Sequence, residues 1–294
     1  MPRTLLPGQR CRIHVLDVDS GEDRIVHESA DVLYEAPNWL PGTETLLVNG
    51  DGHLHLLDFE LGDAAPRRLE ARDLPPVNND HVLAPDGEHV YASADDGRIH
   101  RVPLAGGRAV PVTEDDGKRH FLHGVSPDGA TLAVVTVERR ADGTWPAANI
   151  ALYPVAGGAP TPLTADEHPD DGAEFTPDGA FLLLNSERGS TIPGHAQLFR
   201  MRPDGADLVQ LTHDERVNWF PHPSPDGSRI AYVSFPPGTL GHPADHEVIL
   251  RLCAPDGSGV RDLVTLHGGQ GTMNVNSWAS DSRRLAYVDY PLAD

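Results

Sequence analysis

Residues 218–234 read NWFPHPSPDGSRIAYVS. The stretch has an aromatic and polar approach, a Ser-Pro-Asp-Gly turn and an apolar run. The same sentence recurs along the chain, as HVLAPDGEHVYAS at 81–93, HGVSPDGATLAVV at 123–135 and AEFTPDGAFLLLN at 173–185. Weaker copies are NSWASDSRRLAYV at 276–288 and PNWLPGTETLLVN at 37–49. A repeat of this kind sets the architecture before any other signal does.

The turn residues Pro41, Pro85, Pro127, Pro177, Pro225 and Ser280 are spaced by about 42–55 residues, the period of a four-stranded propeller blade. Each copy is followed by a second alternating hairpin, such as QLFRMRPDGADLVQLT at 197–212 or VILRLCAPDGSGVRDLVTL at 248–266. Alternation, a Gly or Asp-Gly turn, then alternation again is antiparallel hairpin grammar. The sixth copy ends at Tyr290 without its second hairpin. That hairpin stands at the other end of the chain, as RIHVLDVDSGEDRIVHES at 12–29. The expected fold is therefore all-β: a six-bladed β-propeller of four-stranded antiparallel blades, with residues 12–29 completing the last blade. It makes a single domain over 1–294. Closure of the ring removes the open sheet edges.

The SPDG…IAYVS and RMRPDG…LVQLT sentences resemble the TolB-type propeller repeat, a WD40-like repeat with a Pro-Asp turn. The resemblance runs from about Arg12 to Tyr290 and implies the propeller fold. It also implies a non-catalytic scaffold that binds a peptide or protein. Prolyl-oligopeptidase-like peptidases use similar blades, but this chain has no G-x-S-x-G elbow and is not expected to be a serine hydrolase. FPHPSPDG at 220–227 resembles, more weakly, a His-Pro strand of the oligogalacturonate lyases. That family holds manganese through His and Gln, and the resemblance carries a ligand role onto His222.

Composition narrows the partners. The chain has 294 residues and a formal charge of −21, from 44 acidic and 23 basic residues. Such an acid excess repels phosphate backbones and anionic membrane surfaces, so neither nucleic acid nor membrane is an expected partner. Cys11 and Cys253 match no disulfide or zinc spacing. No secretory h-region opens the chain, and the reading is a cytoplasmic monomer. No motif calls for a nucleotide or organic cofactor.

Candidate site residues gather on one face. The connections between second and third strands are tight in blades one and two. They are long in blades three, four and five, from Glu138, Ser186 and Pro236, and long loops among short ones are commonly functional. Counting back from the turn proline, position −4 holds His81, His123 and Asn276. Position −3 holds Glu174 and His222, and position −6 holds Asn79 and Asp171. His81, His123 and His222 are the candidate ligands of one divalent metal ion. Glu174, His195 and His246 are candidate acid–base groups. Trp145, Trp219 and Phe220 are candidate stacking residues, with Arg139, Arg140, His242 and Asn276 as further ligand contacts. Position −2, with Trp39, Leu83, Val125, Phe175 and Trp278, reads as packing between blades. Two functions stay open. One is metal-assisted lyase or isomerase chemistry on an oxygen-rich or carboxylate small molecule; the other is the scaffold.

Overall fold

The computed structural model describes residues 3–60, 65–138 and 148–292. No helix occurs among them. Blade one is built from Tyr34–Trp39, Thr45–Gly50, His53–Asp58 and Arg67–Arg68, and blade two from Val77–Leu83, His89–Ala94, Ile99–Pro103 and Val110–Pro111. Blade three comprises Lys118–Val125, Thr131–Glu138, Asn149–Pro154 and Thr161–Pro162. Blade four comprises Asp170–Phe175, Leu182–Ser186, Gln197–Met201 and Val209–Gln210. Blade five has Val217–Pro223, Ile230–Phe235, Ala244–Cys253 and Arg261–Gly269. In each, the strands lie in chain order and pair antiparallel, innermost first.

Blade six joins the two ends of the chain, as the repeat count expects. Arg284–Asp289 pairs with Cys11–Asp17, with Ile13 opposite Val288, and Cys11–Asp17 pairs with Asp23–Ser29. Its innermost strand is reduced to a bridge between Trp278 and Leu285. The fold is a six-bladed β-propeller.

The turn sentence has a local physical cause. In blade five the Ser224 hydroxyl donates to Asp226 Oδ1 at 2.6 Å and accepts from Arg229 N at 3.1 Å, while Asp226 Oδ1 also accepts from Ser228 N at 2.9 Å. Ser126–Asp128 and Thr176–Asp178 repeat the contact at 2.6 Å. Gly227 follows with φ of 70°, a conformation that costs glycine little and other residues more. Ser/Thr-Pro-Asp-Gly thus ties its own backbone before the sheet forms.

The core is a ring, with one apolar cluster between each neighbouring pair of blades. Ile13, Leu46, Val48 and Val288 join blades six and one; Leu132, Val134 and Tyr91 join two and three; Trp219, Val233, Leu285 and Tyr287 join five and six. Both cysteines are buried and free, and burial pushes each thiol up to about 12.

Every complete inner strand carries a register irregularity near its middle. In blade two the ladder passes from Val77–Ala94 to His81–Ala92, leaving Asn78, Asn79 and Asp80 opposite one residue. In blade three His123 is the extra residue, between Leu122–Val134 and Gly124–Ala133. Blades one, four and five break at Ala36, Gly172 and Phe220, each with positive φ. A bulge bends its strand and re-aims the side chains that follow. Those side chains face the channel.

Candidate functional site

The bulges and one long loop build a cavity of about 240 Å³ at the mouth of the channel. His123 Nε2 lies 2.9 Å from Asp171 Oδ1 and 4.0 Å from Asp80 Oδ1. Asp80 accepts from Asn78 Nδ2 at 2.6 Å. The Phe220 ring stacks on His123 at 5.6 Å. His242, from the long loop of blade five, lies edge-on to Phe220 at 5.1 Å and to Trp219 at 4.6 Å. Its Nδ1 donates to Gln270 Oε1, and Gln270 Nε2 in turn donates to Asn79 Oδ1 at 3.1 Å. Asn274 Nδ2 also donates to Gln270 Oε1, at 3.2 Å.

Protonation follows from this geometry. Burial opposes charge on His123, but the facing Asp171, with Asp80 behind it, overrides burial and holds the ring up at about 9. Asp171 is half-buried, and although desolvation opposes its charge, His123 keeps it below the usual carboxylate range. Asp80 lacks so close a partner, and burial pushes it up to about 6 despite His123. Desolvation lowers the pKa of His242, although Asp171 opposes the shift. The cluster is one tight ion pair beside a carboxyl group that titrates near neutrality.

A second acidic patch adjoins it through Asn79 and Gln270. Glu35 accepts from Asn49 Nδ2 at 3.1 Å, and burial raises its pKa. The Arg3 guanidinium donates to the Gln270 carbonyl at 2.6 Å and to Asp245 Oδ1 at 2.9 Å, and lies 3.5 Å from Glu35 Oε1. Its Cζ sits 4.3 Å from the Tyr290 ring centroid.

The backbone is strained at this point. Phe220 holds φ of 56°, which costs a bulky residue of order 1–3 kcal/mol. Asn185 Oδ1 accepts from Phe220 N at 3.0 Å and secures the bulge. Gly172 packs against it, where an added Cβ would come within 2.7 Å of Asn185 Oδ1. The strain turns the Phe220 ring onto His123.

The three proposed metal-binding histidines do not converge. The two nitrogens of His81 abut Asn38 Oδ1 at 3.0 Å and Asn49 Oδ1 at 3.2 Å, on blade one, and burial drives its pKa down to about 3. His123 turns to Asp171 on blade four. His222 Nδ1 meets Glu174 Oε2 at 2.6 Å and its Nε2 meets the Met273 carbonyl at 3.0 Å. Both nitrogens of His81 and of His222 are therefore engaged with protein oxygens, and the donor set does not fit one shared ion. Among the described residues no group of three or more His, Cys, Asp or Glu is arranged to hold a metal.

Other expected residues divide between places. Phe220 and His242 line the cavity, and Trp219 buttresses His242 from a buried position. His195 is tied to Ser190 Oγ at 2.9 Å and to the Asp214 carbonyl at 3.0 Å, which makes it a brace of its own loop. His246 lies in the third strand of blade five, 6.4 Å from Phe235, and does not line the cavity. Glu174 and Asn276 belong to the opposite end of the channel, where Asn276 Nδ2 donates to Glu174 Oε1 at 2.5 Å. Arg139, Arg140 and Trp145 lie outside the described residues. Asn78, Asp80 and Gln270 were not legible beforehand. The NND run before His81 was the one signal for Asn78 and Asp80, which strict alternation conceals, and Gln270 had none.

A closed ring of Pro-Asp-Gly-turned blades with a polar channel mouth defines a TolB-like propeller. The chain belongs to that family. It is 33% identical over 291 residues to the uncharacterised protein Atu1656 of Agrobacterium fabrum, covering 97% of this chain and 94% of that one. A solved Agrobacterium tumefaciens structure, provisionally assigned as TolB, superposes with a TM-score of 0.87 at 33% identity, over 97% of this chain and 99% of that chain. An oligogalacturonate lyase in complex with manganese shares the fold at a TM-score of 0.58 and 16% identity, over 90% of this chain and 73% of that one. No family model matches the chain.

Proposed function

We propose that the protein is a ligand-binding propeller, without catalysis of its own, whose channel mouth takes a cationic, hydrogen-donating group. The observation behind this is the surplus of acceptors in the mouth. Among the described residues, Asp80 and Asp171 in the cavity and Glu35 and Asp245 in the adjoining patch pair only with Arg3 and with the imidazoles of His123 and His242. A cavity with such an excess attracts positive charge and repels carboxylates. The chain supports the reading with its own residue, since the rim already holds one guanidinium, that of Arg3, between two carboxylates and a carbonyl. Peptide and small-molecule ligands both present such groups, and family resemblance favours a peptide. Metal-assisted lyase chemistry on a carboxylate substrate has less support, because the histidines it needs are engaged elsewhere and the mouth carries the wrong charge.

The test is calorimetric titration with agmatine and arginine methyl ester, set against galacturonate and acetate. The cations are expected to bind, and Asp171→Asn to weaken them at least tenfold. Tight binding of galacturonate with none of the cations would overturn the proposal.

A further inference from the structure

The opposite end of the channel opens among the Pro-Asp-Gly turns as a funnel of about 400 Å³. It draws walls from all six blades, and the position −2 residues that read as inter-blade packing also form its lining. Trp39, Phe175 and Trp278 supply aromatic surface. Glu174 is the only charged side chain at its floor, and no Lys, Arg or His lines it among the described residues. That volume falls within the range of small-molecule pockets.

The hydrogen-bonding character of the floor is one-sided. Trp39 Nε1 donates to the Thr43 carbonyl at 2.7 Å and Trp278 Nε1 to the His222 carbonyl at 3.1 Å. Asn38 Nδ2 donates to the Asn276 carbonyl at 2.8 Å, and Asn276 Nδ2 to Glu174 Oε1 and the Pro223 carbonyl. Every side-chain nitrogen in the lining is thus engaged within the wall. The groups with lone pairs left over are oxygens, above all those of Glu174, whose Oε2 meets His222 from behind. The indole N–H groups are already bonded and the Arg284 guanidinium lies over the Trp39 ring at 5.0 Å, so the indoles offer only the faces and edges left uncovered. An occupant must bring its own donor for the floor and an apolar body for the walls, and aromatic faces beside a carboxylate favour a cation.

We propose that this funnel is a second binding site, independent of the channel mouth, for a small organic ammonium with an apolar body. The probes are 2-phenylethylammonium and its neutral counterpart 2-phenylethanol. They are titrated into the full-length protein while the indole N–H resonances of Trp39 and Trp278 are followed by NMR. The ammonium is expected to shift both resonances and to bind at least tenfold more tightly than the alcohol. Glu174→Gln should bring the ammonium down to the level of the alcohol, Trp278→Leu should weaken both, and Asp171→Asn at the far mouth should change neither. Equal affinity for the two probes, no indole shift at millimolar concentration, or an ammonium affinity unchanged in Glu174→Gln would each overturn the proposal. If Glu174→Gln does not fold, the wild-type comparison decides alone.

Discussion

Replacing Ile13 with alanine tests whether the amino-terminal hairpin is part of the cooperative fold. Ile13 is fully buried, lies opposite Val288, and packs with Leu46, Val48 and Ala286 across the junction of blades six and one. Removing a buried isoleucine down to Cβ costs about 2–5 kcal/mol, the higher value where the site cannot collapse. This site is flanked by two paired strands, one on either side of Cys11–Asp17, so little collapse is expected. Against a total stability of about 5–15 kcal/mol, that loss is large. The control is Ile25→Ala on the outer strand of the same hairpin, where the side chain is 45% exposed and the expected change is within about 0.5 kcal/mol. Urea titration followed by tryptophan fluorescence reads both variants. The midpoint of Ile13→Ala should fall in one transition with unchanged slope. A change below about 0.5 kcal/mol, or a separate early transition for the hairpin, would refute the closed single unit.

Other outcomes follow from particular contacts. His14 is stacked on Tyr287 at 4.5 Å between Asp23 and Asp289; burial opposes its charge, but the two carboxylates raise its pKa. Its contribution should be complete below the unfolded value of about 6.5 and fade as pH rises through the folded value. His14→Gln should therefore cost more in urea melts at pH 6 than at pH 9, and the reverse order would count against the ion pairs. In Asp171→Asn the His123 resonance should titrate well below about 9, and an unmoved midpoint would remove Asp171 as the cause. Gly124→Ala places a Cβ within 2.7 Å of the Ala173 carbonyl of the next blade; overpacking of backbone on backbone should cost about 1–3 kcal/mol in the same melts. A neutral result would mean that blades three and four are not held this closely.

The blades, their turns and the closure of the ring were legible in the residues alone, because their causes are local. Ser224, Asp226 and Gly227 bond and bend within one turn, and alternation along residues 12–16 needs a partner that only residues 284–289 can be. Candidate site residues were legible only in part. His123, Phe220 and His242 meet in the cavity, whereas Glu174 and Asn276 sit at the other end of the channel and His81 and His222 are taken up by neighbouring blades. Strict alternation assigns residues two apart to one side, and each complete inner strand, in blades one to five, breaks that parity with a bulge. A bulge is a property of two paired strands, so neither strand's sequence displays it. It needs the partner ladder and the packing of the next blade, as where Phe220 is pressed into positive φ against Gly172 and Asn185. The tertiary structure alone decided which polar residues share a cavity, and with that its acidic character.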